Sequence, residues 1–202
     1  MMRWVYWSGW MTLRSAFRGL FGLRVRGKEH LVTNGSVLVV SNHQSFLDPP
    51  LIGTLYEDEM YYLARKTLFR GPAKWLYTRW KAIPVDQDRP DMASLKTIIR
   101  LLKQGNRVLV FPEGERTENG ELGVAQPGVG LIAMKSGAVI QPIRIRGARE
   151  ALPRGSGRIR LARIDVHVGR PLVFSKEEME QSTGKEGYKM VADRIMKAIG
   201  EL

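Results

Sequence analysis

Two rhythms of apolar residues run along this chain. Short unbroken runs rich in β-branched residues, Ser36-Val37-Leu38-Val39-Val40 and Val108-Leu109-Val110-Phe111, have the length and composition of strands buried on both faces. Similar shorter runs at Met60–Ala64, Ala82–Val85 and Val139–Ile145, with one near Leu23–Val25, predict further strands. Ile159–Val168 alternates apolar with polar, with one shift of phase, and is read as a strand as well. Between these runs the spacing becomes helical. Helices are predicted over residues 2–21, from Pro49 to about Leu55, over Pro72–Trp80, from Pro90 to Gln104 with a stop at Gly105, over Gly128–Lys135, and from about Met179 to Ile199. Strands alternating with helices predict an α/β fold with a mixed, mainly parallel sheet flanked by helices. No repeat, low-complexity tract or linker divides the chain.

The first helix stands apart. Trp4, Trp7, Trp10, Met11, Leu13, Phe17, Leu20 and Phe21 are interleaved with arginines. An amphipathic helix packed on the core would look like this, and so would one lying in a membrane interface with its rings at headgroup level. Three of the five tryptophans within ten residues tip the reading toward an amphipathic membrane-associating helix. The charge-free stretch Trp4–Leu13 is about half of the roughly 20 residues that span a bilayer, so no transmembrane helix is expected. No small-residue cleavage pattern marks a signal peptide.

The 202 residues suit one core of ordinary composition, 44% apolar and 26% charged. The absence of cysteine excludes disulfides, thiolate metal sites and a cysteine nucleophile. Thirty-two Lys and Arg against twenty Asp and Glu give a formal charge of +12, which points to a polyanionic partner: an anionic membrane, a phosphorylated substrate or nucleic acid.

Two stretches carry candidate chemistry. Ser41-Asn42-His43-Gln44-Ser45-Phe46-Leu47-Asp48-Pro49-Pro50 follows the first buried strand, with Asp48 read as a helix N-cap and Pro49 as the first helical residue. That places His43 at the carboxyl end of a strand, where open α/β sheets keep their ligand sites. Asp48, five positions on, is close enough to turn back, orient the imidazole and stabilise its protonated form, as a general base needs. Phe111-Pro112-Glu113-Gly114-Glu115-Arg116-Thr117 follows the second buried strand at the same sheet edge. There Arg116 offers a fork for a phosphate, Glu113 an acceptor for a hydroxyl, and Gly114 a backbone free to take positive φ or approach closely.

Taken together, Asn-His-x-x-x-x-Asp-Pro after one strand and Phe-Pro-Glu-Gly-x-Arg-Thr about 70 residues later resemble the glycerolipid acyltransferase family. The resemblance runs from roughly Leu23 to Gly147. With the amphipathic interfacial helix read from its own residues as a segment 1–22, an acyltransferase domain over 23–202 follows; the resemblance implies His43 as catalytic base and Asp48 as its support. It also implies that Glu113, Gly114, Arg116, Thr117 and Lys66 bind the acceptor. Transfer of a fatty acyl chain from acyl-CoA or acyl-carrier protein to the sn-2 hydroxyl of 1-acyl-glycerol-3-phosphate is the activity implied. Beyond the acyl thioester donor no cofactor is expected, and no metal. The expected partners are a lysophospholipid, the thioester, possible acyl-carrier protein and an anionic membrane surface, with no nucleic acid. The expected location is the cytoplasmic face of a membrane, peripheral or monotopic. A third block of the family matches Lys66-Thr67-Leu68-Phe69 through Ile83-Pro84-Val85-Asp86, but Gln87 stands where the family usually has arginine; Arg89 or Arg79 is a candidate substitute. A fourth matches Val139-Ile140-Gln141-Pro142-Ile143. Glu115 stands where threonine is common.

Rival readings differ in what they ask of particular residues. Ser45 is the alternative nucleophile, although a bound acceptor removes the need for an acyl-enzyme. Backbone amides near Gly114 are candidates for an oxyanion site. Another lysolipid or amino-lipid is the alternative acceptor, and a basic nucleic-acid-binding protein the alternative class. His30 is assigned to a charged loop and His167 to an alternating strand, neither in a metal-ligand spacing.

Overall fold

The computed structural model describes residues 2–85 and 92–202. In chain order the elements are α1 (Met2–Leu20), β1 (Arg24–Arg26), β2 (Val37–Ser41), α2 (Asp48–Gly53), β3 (Tyr61–Arg65), α3 (Gly71–Arg79) and β4 (Ala82–Val85). Then follow α4 (Met92–Lys103), β5 (Arg107–Val110), α5 (Pro127–Ser136), β6 (Val139–Arg146), α6 (Ala148–Ala151), β7 (Asp165–Val168), α7 (Lys176–Gln181) and α8 (Gly184–Gly200). Asp86, Gln87, Arg89 and the expected helix start at Pro90 lie outside the described residues.

The seven strands form one sheet in the order β1-β7-β6-β2-β5-β3-β4. Every pairing is parallel except β6 with β7. Because β2 is central and covered on both faces, its residues read as an unbroken apolar run. Alternate side chains point to opposite layers. Val37 and Val39 join Leu109, Ile143 and Val166 against α2, Phe17 of α1 and Phe21 just after it. Leu38 and Val40 join Val108, Val110 and Ile140 against Ile98 and Leu102 of α4, Val129 and Ile132 of α5, and Ile195 and Ile199 of α8. Gly130 lets α5 meet α8 closely: a Cβ there would lie 1.9 Å from the Tyr188 carbonyl oxygen.

One irregularity of register matters for the site. β3 pairs with β5 only at Tyr61↔Val108 and Tyr62↔Leu109, whereas its pairing with β4 continues to Arg65↔Val85. The sheet therefore opens between β3 and β5 toward its carboxyl edge.

Helix α1 packs on the core with one side and leaves apolar side chains exposed on the other. Tyr6 and Phe17 are buried, Trp10 Nε1 donates to the Tyr56 carbonyl at 2.7 Å, and the Tyr6 hydroxyl accepts from Met60 N at 3.2 Å. On the opposite side Trp4 is 82% and Met11 63% exposed. No helix among the described residues is long and apolar enough to cross a membrane.

The structure corrects three expectations. Only Asp165–Val168 of the expected strand 159–168 is a strand. Upstream, exposed Ile159 and Leu161 alternate with arginines, and the segment is tied by single bonds such as Arg160 N to Ala151 O at 2.8 Å. The expected closing helix is two helices. Ser175 and Glu178 form a reciprocal capping box at the start of α7, and the chain breaks at Ser182-Thr183 before Gly184, whose φ is +77°. Finally, Asp48 is not an N-cap. Leu47 holds that position with no side-chain bond to the helix, while the Asp48 carboxylate turns back onto the loop before it.

Candidate active site

The end of β2 is fastened on three sides. The Asn42 side chain exchanges two hydrogen bonds with Ile145 of β6, accepting from its N at 2.8 Å and donating to its carbonyl at 2.9 Å. This pins the loop to the neighbouring strand. Ser45 Oγ donates to the Leu152 carbonyl at 2.9 Å and accepts from Leu47 N at 3.2 Å, fully buried, which is the geometry of a loop brace. The His43 carbonyl accepts from Thr117 N at 2.9 Å, joining the first motif to the second.

Asp48 is 0% exposed, and its Oδ2 accepts from three donors: Gln44 N at 2.6 Å, Ser45 N at 2.7 Å and His43 Nδ1 at 2.8 Å. A carboxylate is tolerated in such a place because the charge meets donors fixed by the fold. With the carboxylate as acceptor, Nδ1 carries the proton, and Nε2 is the ring nitrogen left to take one. The ring lies flat on Phe111, centroids 3.9 Å apart with planes at 11°. Tautomer and ring plane are thus both set before any substrate binds.

Glu113 is held in place by the loop around it. Its Oε1 accepts from His43 N at 3.1 Å and its Oε2 from Gly123 N at 3.2 Å, so both oxygens are engaged by backbone. Burial pushes its carboxyl above the usual range; those two bonds pull it down, and the Asp48 charge pushes it up again. Gly114 takes φ +78°, but its amide donates to the Phe111 carbonyl at 3.0 Å and is not free for an oxyanion. The Thr117 hydroxyl is buried without a hydrogen-bond partner. Arg116 lies over the Phe46 ring at 3.7 Å, and burial, then the charges of Arg154 and Arg65, hold its guanidinium below its ordinary value.

His43, Glu113, Gly114 and Arg116 line a cavity of about 950 Å³. Its apolar walls lie on both sides of the sheet: Leu13, Gly53 and Tyr62 on the α1 and α2 side, Leu63, Leu95, Ile98, Val129 and Ile132 on the α4 and α5 side. The gap where β3 parts from β5 connects them. Lys66 and Thr117 are not among the lining residues; Lys66 is exposed on a 3₁₀ turn, Lys66–Leu68. In their place stand Arg65 and Arg154, which sequence reasoning missed along with Phe46 and Phe111. Arg154 lies on the connection from α6 to β7, too far along the chain for any motif to include it. Among the described residues no three His, Asp or Glu side chains group as a metal would require.

An imidazole oriented by a buried carboxylate, at the carboxyl edge of a mainly parallel sheet and beside a largely apolar cavity, is equipped for general-base chemistry on a substrate with an apolar part. The chain belongs to the acyltransferase family, whose family model, described as Acyltransferase, matches residues 22–146. It is 30% identical over 164 residues to a chloroplastic 1-acyl-sn-glycerol-3-phosphate acyltransferase of Arabidopsis thaliana, covering 79% of this chain and 46% of that protein. It is 28% identical over 185 residues to the 1-acyl-sn-glycerol-3-phosphate acyltransferase of Bacillus subtilis, covering 90% and 88%. The crystal structure of the 1-acyl-sn-glycerophosphate (LPA) acyltransferase PlsC from Thermotoga maritima superposes with a TM-score of 0.79 at 25% identity, covering 99% of this chain and 80% of that one. The chain spans about half the length of the chloroplastic relatives it matches.

Proposed function

We propose that the protein transfers a fatty acyl chain from an acyl thioester, acyl-CoA or acyl-carrier protein, to the sn-2 hydroxyl of 1-acyl-sn-glycerol 3-phosphate, giving phosphatidic acid. The carrying observation is the 2.8 Å bond between His43 Nδ1 and Asp48 Oδ2 at the mouth of the apolar cavity that Arg116 also lines.

His43 Nε2 removes the proton of the acceptor hydroxyl as its oxygen attacks the thioester carbonyl. The tetrahedral intermediate collapses, the carbon–sulfur bond breaks, and the imidazolium returns the proton to the departing thiolate. General-base catalysis of this kind contributes about 10²–10⁴ in rate. Asp48 keeps the tautomer and stabilises the imidazolium. Arg116 holds the acceptor phosphate and so turns binding into orientation. Glu113 positions His43 through its backbone amide. The thioester supplies the driving force, so the chemistry requires no cofactor or metal, and Ser45, bonded to Leu152, is not needed as a nucleophile.

The outer face of α1, with Trp4, Met11 and Leu20 exposed, lies against an anionic bilayer in this account. Residues 1–22 then form the peripheral attachment and 23–202 the acyltransferase domain, at the cytoplasmic face. The test is acyl transfer by purified protein to 1-acylglycerol 3-phosphate, with acyl-CoA and acyl-carrier protein as donors. Phosphatidic acid is the expected product. Preferential acylation of a lysolipid without a terminal phosphate would remove the acceptor assignment.

A further inference from the structure

Arg116 by itself is a small counterpart for a phosphate monoester dianion, and of the two expected substitutes Arg89 lies outside the described residues. Arg79 stacks on Trp75 at 3.9 Å and does not line the cavity. The cavity is lined instead by three guanidinium groups from three distant parts of the chain: Arg65 at the end of β3, Arg116, and Arg154 beyond α6. Arg154 Nη1 donates to the Arg116 carbonyl at 2.8 Å, and its Nη2 lies 3.3 Å from Glu115 Oε2. Glu118 Oε1 is 3.7 Å from Nη1.

Two further facts mark the cluster as an anion site. The charges of Arg154 and Arg65 act against that of Arg116, a repulsion that a bound anion reverses. Arg116 Nη1 is buried and has no hydrogen-bond partner, so a strong donor lacks the acceptor that such groups normally find.

We propose that Arg154 and Arg65 join Arg116 in holding a phosphate monoester, the headgroup of the lipid acceptor. This rests on the acceptor named above. Arg154 then has two tasks: it braces the loop through the Arg116 carbonyl and offers its remaining donors to the phosphate. Glu115 competes with the phosphate for those donors. Its presence where threonine is common tunes acceptor affinity downward.

The test is steady-state kinetics and glycerol 3-phosphate binding on the full chain, with the parent, Arg154→Gln, Arg154→Lys and Glu115→Gln. Losing a charge-assisted contact should raise KM for 1-acylglycerol 3-phosphate about 10- to 100-fold in Arg154→Gln, with kcat and the acyl-CoA KM moved less than threefold. Arg154→Lys, which keeps the charge but not the fork, should fall between. Glu115→Gln should lower the acceptor KM roughly two- to five-fold. If Arg154 only braces the loop, Glu115→Gln weakens the brace and raises the acceptor KM, which overturns the proposal. A rise confined to the acyl-CoA KM would assign the cluster to the phosphates of the donor and overturns it too. If the parent does not acylate this acceptor, the function proposed above fails, and glycerol 3-phosphate still decides the site. Binding weakened at least tenfold by Arg154→Gln upholds it, and equal binding by parent and variant refutes it.

Discussion

Replacing Asp48 by asparagine separates what the carboxylate does for the fold from what it does for His43. Oδ2 accepts from His43 Nδ1, Gln44 N and Ser45 N. An amide oxygen in the same place can still accept, so the loop has a reason to keep its shape. Each bond changes from a charged acceptor, worth about 1.5–3 kcal/mol, to a neutral one, worth about 0.5–1.5. Three such losses total roughly 3 kcal/mol, reduced because a neutral amide is easier to bury than a charge. A net loss of about 2 kcal/mol lowers Tm by roughly 4–8 °C for a chain of this size. Catalysis should suffer far more, with kcat down about 10²–10⁴, because nothing stabilises the imidazolium or fixes its tautomer. Asp48→Ala makes the contrast: the Gln44 and Ser45 amides lose their acceptor inside the protein, at about 1–3 kcal/mol each. Thermal denaturation and single-turnover acyl transfer on the two variants measure both effects. Asp48→Asn with kcat within threefold of the parent would refute the role given to this carboxylate.

Enlarging Ile132, buried on α5 and lining the cavity, to phenylalanine should cost about 1–3 kcal/mol of stability and shift donor preference toward shorter chains. A chain-length profile of kcat/KM unchanged by the substitution would contradict the cavity as a chain site. Trp4→Ala should change stability by no more than about 0.5 kcal/mol yet reduce sedimentation with anionic vesicles, whereas Phe17→Ala should cost about 3–5 kcal/mol. Undiminished vesicle binding by Trp4→Ala would count against the membrane face. For Glu113 the sign of the pH effect follows from its raised carboxyl: the native state holds that proton more tightly than the unfolded chain, so stability falls as pH climbs from the ordinary carboxylate range through the raised value. Measured by thermal denaturation, the Tm of Glu113→Gln relative to the parent should therefore rise across that window; a difference moving the other way refutes it.

Much of this architecture is legible in the chain because its causes are local. Burial on both faces makes β2 and β5 continuous apolar runs, and five residues suffice for Asp48 to reach back to His43. The capping box at Ser175 and Glu178 is equally local, and its spacing marks the start of α7 ahead of the expected helix. Other features depend on tertiary geometry. The opening between β3 and β5 exists because one pairing stops two residues in, which no run of side chains announces. Arg154 meets Arg116 only because the segment after α6 crosses the site, and the two backbone partners of Glu113, His43 N and Gly123 N, come from separate loops that no motif joins. The phase shift within 159–168 marks where the strand fails to form, because the arginines there remain in solvent.

The central claim is that His43 is the base for acylation of a phosphate-bearing lysolipid. The most direct measurement is phosphatidic acid formation from 1-acylglycerol 3-phosphate and acyl-CoA by the parent and by His43→Ala, with Tm recorded for both. The account predicts product from the parent and a loss of about 10²–10⁴ or more in His43→Ala, with Tm changed by only a few degrees. Turnover by a folded His43→Ala within tenfold of the parent would contradict it.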